Sequence, residues 1–65
     1  MNPIDEVSGL QERLKNLSYY NGQLDAKLTD ETKKALRIFQ SSNDLEVTGE
    51  PDEETKALLV KLSGG

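Results

Sequence analysis

Ten consecutive residues, Leu24 to Lys33, are matched without a gap 23 positions later by Val47 to Lys56. In the same register Ala35, Leu36 and Phe39 answer to Leu58, Leu59 and Leu62. Each copy reads as an apolar anchor (Leu24, Val47), a turn, a helix N-cap (Thr29, Asp52) and an amphipathic helix. A unit this short cannot bury its own apolar face. The copies must therefore pack on each other or on the segment that precedes them.

That preceding segment is itself helical in pattern. Val7, Leu10, Leu14 and Leu17 are spaced by three, four and three residues, which places them on one helix face. Helix 1 is expected from about Ile4 to Leu17, with Asp5 and Glu6 at its dipole-favoured start. Ser18-Tyr19-Tyr20-Asn21-Gly22 breaks it, Asn21-Gly22 being a strong turn signal. Helix 2 should follow the cap Thr29, with Thr32, Ala35, Leu36 and Phe39 as its apolar stripe. Helix 3 should follow Asp52, an equally good cap, with Pro51 fixing its entry and Thr55, Leu58, Leu59 and Leu62 as its stripe. Leu24, Leu28, Leu45 and Val47 are expected to return to the core. The fold class is all-α, a small three-helix bundle with an internal pseudo-repeat.

With 65 residues the chain makes a single domain, its core at about 4–62 and Ser63-Gly64-Gly65 a linker or tail. Cysteine and histidine are both absent, which removes disulfides, thiolate zinc sites and imidazole ligands. No apolar run approaches the roughly 20 residues of a membrane span. The opening Met1-Asn2-Pro3-Ile4-Asp5-Glu6 lacks the basic and apolar regions of a signal peptide. Any role outside the cytoplasm is therefore expected through a larger protein or a dedicated machine. The net charge of −4 opposes nonspecific nucleic-acid binding and docking on an anionic membrane.

The pattern as a whole resembles a known family. Leu10-Gln11-Glu12-Arg13-Leu14, Leu17-Ser18-Tyr19-Tyr20-Asn21-Gly22, Leu24-Asp25, Thr32, Ala35-Leu36, Phe39-Gln40, Asn43-Asp44-Leu45, Val47-Thr48-Gly49 and Thr55 closely resemble the peptidoglycan-binding-domain (PGBD-like) family, in register from about Val7 to Leu62. The resemblance implies a small three-helix bundle. It also implies a noncatalytic module of the kind that holds wall hydrolases, amidases or peptidases on the bacterial cell wall. A related module is the pro-domain of matrix metalloproteinases, which blocks zinc with a cysteine; this chain has none. Ser18, Ala26, Thr29, Asp44 and Asp52 stand where the family usually has glycine, and Thr48 stands where its second Asp is usual. The apolar pattern is intact while the turns have drifted.

Several side chains are candidate ligand contacts, each with a plainer role beside it. Tyr20 offers a ring and a hydroxyl to a sugar or stem peptide; one of Tyr19 and Tyr20 otherwise closes the core. Asn21, Gln23 and Asp25 can bond amide-rich peptide, although Asn and Asp equally bond their own turn backbone. Arg37 suits a carboxylate, with Gln40 and Asn43 beyond it; a solvated helix face is the alternative. Asp30/Glu31 and Asp52/Glu53/Glu54 are explained by their first helical turns, and no calcium-loop spacing supports a metal. No cofactor is expected. Ile38 and Val60, off the stripes, mark a surface for a protein partner if they share one face.

Catalysis is disfavoured, because no histidine or cysteine can act as base or nucleophile. A helix-turn-helix DNA reader needs a basic recognition helix, whereas helix 3 opens Asp-Glu-Glu. A carrier protein needs an Asp-Ser-Leu attachment motif, which is absent. The expectation is a monomeric wall-binding module that targets a larger protein or assembly to the bacterial envelope, in the periplasm or outside the cell. The alternative is the same scaffold redeployed for protein docking in an envelope-spanning or phage-tail-like assembly.

Overall fold

The computed structural model describes residues 2–64. The chain forms three helices, α1 (Val7–Asn16), α2 (Asp30–Ser42) and α3 (Glu53–Ser63), with no strand among the described residues. The all-α architecture is as expected. α1 packs on both α2 and α3, while α2 and α3 meet only marginally. Each copy of the repeat thus rests chiefly on the helix that precedes both. Leu10 and Leu14 of α1, Ala35, Leu36 and Phe39 of α2, Leu59 of α3 and the loop residue Tyr20 form the buried core. Ile4, Leu17, Tyr19, Leu28, Leu45 and Leu58 pack around it, partly buried.

Two buried glutamines join the helices. Gln11 of α1 is wholly buried. Its Nε2 donates to Asp25 Oδ1 (3.0 Å), the Lys27 carbonyl (2.9 Å) and Thr32 Oγ1 (3.0 Å), and its Oε1 accepts from the Ala26 amide (3.0 Å). Gln40 of α2, equally buried, repeats the arrangement. Its Nε2 donates to Thr48 Oγ1 (3.1 Å), the Glu50 carbonyl (2.9 Å) and Thr55 Oγ1 (3.0 Å). Its Oε1 accepts from the Thr48 (3.0 Å) and Gly49 (2.9 Å) amides. The partners of the two glutamines are related by the same 23-residue step: Asp25 with Thr48, Ala26 with Gly49, Lys27 with Glu50, Thr32 with Thr55.

These bonds explain where the chain departs from expectation. Leu24 and Val47 do not return to the core; they are 47% and 51% exposed. The backbone of each loop turns inward to reach its glutamine, so these side chains point outward. Leu62 is likewise exposed, near the end of α3. α1 begins at Val7 rather than Ile4, because the N-terminal segment folds back across it. There the buried Arg13 guanidinium donates to the Asn2 (2.8 Å) and Gly9 (3.1 Å) carbonyls. A Cβ on Gly9 would clash with the Pro3 carbonyl oxygen, so the crossing requires glycine. Lys56 Nζ ties the same segment to α3 through Asp5 (3.3 Å).

The caps also divide. Thr29 Oγ1 accepts from the Thr32 amide at 3.4 Å, as its place before α2 implies. Asp52 precedes α3 but makes no side-chain cap; its carboxylate accepts from Thr48 Oγ1 (2.6 Å). Ser63, read as tail, closes α3, and Gly64 follows in the left-handed conformation (φ 82°). The tail's last residue, Gly65, and the first residue of the chain, Met1, lie outside the described residues.

Three positions where the resembled pattern has glycine are left-handed here: Ser18 (φ 69°), Ala26 (φ 60°) and Asp44 (φ 58°). Ser18 and Asp44 each end a helix in a Schellman motif. The Tyr19 amide donates to the Leu14 carbonyl (2.8 Å) and the Leu45 amide to the Gln40 carbonyl (2.9 Å). A left-handed backbone costs a non-glycine residue about 1–2 kcal/mol. Glycine returns about 0.5–1 kcal/mol of that as unfolded-state entropy. Ala26→Gly is therefore expected to raise stability by roughly 0.5–1 kcal/mol in urea denaturation. Gln40→Leu strands several buried groups at about 1–3 kcal/mol each, against a total of roughly 3–10 kcal/mol for a domain this size. It is expected to unfold the chain at 25 °C, with loss of amide dispersion in the NMR spectrum.

Candidate functional site

α2 turns its core stripe inward, which leaves Glu31, Lys34, Ile38 and Ser41 in line on its outer face, at steps of three, four and three residues. An open trough follows that line. At its α2 N-terminal end lies a depression of about 800 Å³ walled by the loop after α1 and the first turn of α2: Lys15, Tyr20, Asn21, Gly22, Gln23, Asp25, Thr29, Asp30 and Glu31. It shares Tyr20, Asn21 and Glu31 with a second depression that adds Tyr19, Lys34, Ala35 and Ile38. That one shares Lys34 and Ile38 with a third, which adds Arg37, Ser41, Ser42 and Val47.

The trough brings together most of the residues singled out from sequence. Asn21, Gln23 and Asp25 are exposed at one end, and Arg37 is exposed at the other. Tyr20 contributes less surface than its place in the turn suggests. It is 4% exposed, and its hydroxyl donates to the Gln23 carbonyl (2.6 Å). A Cβ on Gly22 would lie 2.6 Å from the Tyr20 ring and 2.7 Å from a Glu31 carboxylate oxygen, so glycine lets the turn close over the ring. Tyr19 is the more accessible of the two, half-buried and edge-on to Phe39 with centroids 5.2 Å apart. Tyr20→Ala would therefore open the core as well as alter the trough.

Two candidates fall elsewhere. Gln40 is fully buried with both ends of its amide engaged, so it builds the α3 entrance and presents nothing to a ligand. Asn43 caps α2, its Nδ2 donating to the Phe39 carbonyl (2.8 Å), and lines none of the three depressions. Lys34 lines the trough without having been singled out, and Glu31 and Val47 line it although the sequence assigned them to a first helical turn and to the core. For Glu31 and Lys34 the signal lay in the outer-face spacing shared with Ile38. Ile38 itself, 44% exposed, sits in the trough beside the tyrosines. Val60 is partly buried on α3 and lines none of the three depressions.

The charges divide along the trough. Asp30 and Glu31 stand at one end and Lys34 and Arg37 toward the other; among the described residues the ion pairs belong to Lys56. The Arg37 side chain lies over Gly49, whose Cβ, if present, would be 3.2 Å from the guanidinium. No cluster of three or more potential metal ligands occurs among the described residues, and no helix there is long and apolar enough to cross a membrane.

The fold is a three-helix module with an open trough of mixed charge along the outer face of α2. Residues 4–59 match the family model described as "Putative peptidoglycan binding domain", and the chain belongs to that family. The chain is also similar to the spore cortex-lytic enzyme of Oceanobacillus iheyensis, with 39% identity over 59 residues. That alignment takes in 91% of this chain and 21% of the relative, so the chain spans about a fifth of the relative's length. No solved structure gives a significant match.

Asp25, at the trough's edge, titrates below its ordinary value of 3.8, because the Gln11 amide and then the Lys27 N–H bond its charged form. A depressed folded-state value means that its contribution is complete above pH 3.8 and is lost as pH falls through the folded value. The Asp25 carboxyl carbon is expected to titrate below 3.8 by NMR in the folded domain and at its ordinary value in urea.

Proposed function

We propose that the chain is a noncatalytic, monomeric peptidoglycan-binding module that holds a larger protein at the bacterial cell envelope, with the trough along α2 as its wall contact. The observation that carries this reading is the family match over residues 4–59, which takes in α1, α2 and most of α3. The trough suits the role. It is open and shallow, with a half-buried aromatic, exposed amides and both signs of charge, as a peptide-bearing glycan requires. The absence of histidine and cysteine from the sequence leaves few groups for general-base or nucleophilic work. On this reading the activity named for the Oceanobacillus relative resides in the larger part of that protein, which has no counterpart in this chain.

Sedimentation with purified peptidoglycan sacculi tests the proposal. The domain is expected to co-sediment at both low and high salt, above a bead-only control. Asn21→Ala and Arg37→Ala, at opposite ends of the trough, should each weaken binding about threefold, since single polar contacts contribute about 0.5–1.5 kcal/mol. Lys61→Ala, outside the trough, should leave it unchanged. A domain that stays in the supernatant at both salts removes peptidoglycan as the ligand.

A further inference from the structure

The division of charge along the trough specifies more than attachment to a wall. Asp30 and Glu31 lie in the first turn of α2, Lys34 and Arg37 one and two turns further on, and Ile38 with the half-buried Tyr19 forms the apolar stretch beside them. Glu31 and Lys34 are three residues apart, a spacing that permits a helix ion pair, yet among the described residues they form none, and neither does Arg37. Among the described residues none of the four charged side chains makes a hydrogen bond, whereas the neighbouring Asp25 is engaged by Gln11 and the Lys27 amide. From Glu31 to Arg37 the helix rises about 9 Å at 1.5 Å per residue. A lysine ammonium and the carboxylate of the residue after it, joined through one side chain and one extended residue, reach about the same separation.

We infer that the trough selects a short peptide carrying a free ammonium and a free carboxylate about 9 Å apart, with the ammonium against Asp30 and Glu31 and the carboxylate against Lys34 and Arg37. The inference rests on the peptidoglycan reading and sharpens it. A stem peptide that has not been cross-linked keeps both its diamino-acid amine and its terminal carboxylate. Cross-linking joins the amine of one stem to the carbonyl of another stem's penultimate residue, whose terminal residue leaves with its carboxylate, so each cross-linked stem has lost one of the two charges. The module therefore distinguishes loosely linked wall from densely linked wall. Lys15 on the rim of the first depression opposes the ammonium only in part, because Asp30 and Glu31 together outweigh it. The dipole at the start of α2 is already met by those same two carboxylates, so that end of the trough presents negative charge.

The probe is N-acetyl-alanyl-γ-isoglutaminyl-lysyl-alanine, whose two charges are the lysine ammonium and the terminal carboxylate, titrated into the labelled domain by NMR. Its side-chain-acetylated form and its C-terminal amide are titrated alongside. Acetylation and amidation should each weaken binding to the unaltered domain roughly threefold to fivefold, the range of an exposed ion pair. Acetylation should make little difference to Glu31→Gln, and amidation little difference to Arg37→Gln. Both substitutions are at exposed positions, and retained amide dispersion shows that each variant is folded. Equal affinity for all three peptides, or no shift with any at millimolar concentration, overturns the inference. Sacculus sedimentation by the same preparation separates the two readings. Sedimentation without charge selectivity leaves a wall module with no preference for free ends. Charge selectivity without sedimentation keeps the trough as a site for zwitterionic peptides and removes the wall as their source.

Discussion

Each of the first two helices of this domain sets the start of the next through one buried glutamine. Gln11 on α1 gathers the 25–27 loop and Thr32 in the opening turns of α2; Gln40 on α2 gathers the 48–50 loop and Thr55 in the opening turns of α3. A primary amide suits this task because it donates and accepts at one end of a short side chain. It can thus hold a carbonyl, an amide and a hydroxyl together in a dry site, where such bonds are stronger and their loss more costly. Seven buried apolar side chains leave the core with little redundancy. The glutamines provide the register that apolar contacts, being non-directional, do not.

The same bonds create the backbone strain. Ala26 and Gly49 occupy equivalent places in the repeat, both with positive φ (60° and 74°), and both present their amides to the glutamine oxygen. The left-handed turn is what aims the amide, so each copy of the loop adopts it whatever residue stands there. Thr48 shows how far the chemistry can drift without loss of the geometry. It replaces the carboxylate of Asp25 with a hydroxyl, yet still accepts from the glutamine Nε2 and from the amide two residues on. The bonding pattern survives and the negative charge does not.

What could be read from sequence followed from periodicity, and what could not followed from the backbone. The three helices, the Thr29 cap and the stripes of α1 and α2 emerge from apolar spacing, because amphipathic helices bury what they repeat. The repeat itself signalled a shared architecture. It also misled in the same way twice: Leu24 and Val47 look like anchors, but each inward place is taken by main-chain amides and carbonyls. Gln40 looked like a polar residue at a helix end, and nothing in its neighbours announces that it is buried. Of the adjacent tyrosines the sequence favours Tyr20 as the ligand contact, but the Gly22 turn places that ring within and leaves Tyr19 the more accessible. The trough was half legible, since its loop contacts stood out as turn residues while its α2 face read as ordinary solvated helix.

The two loops also bound the trough, which links the fold to the proposed role. The Gln11-held loop supplies Asp25 at one end, and the Gln40-held loop supplies Val47 and the Gly49 surface under Arg37 at the other. A contact so shallow yields little net affinity once the loss of translational and rotational freedom is met. A wall, however, is a polymer that displays the same peptide many times, and a module tethered to a larger protein meets each copy at high effective concentration. Weak, charge-selective contact is sufficient under those conditions. In the proposed role it would also leave an attached protein free to move from one stem peptide to the next, as tight binding would not.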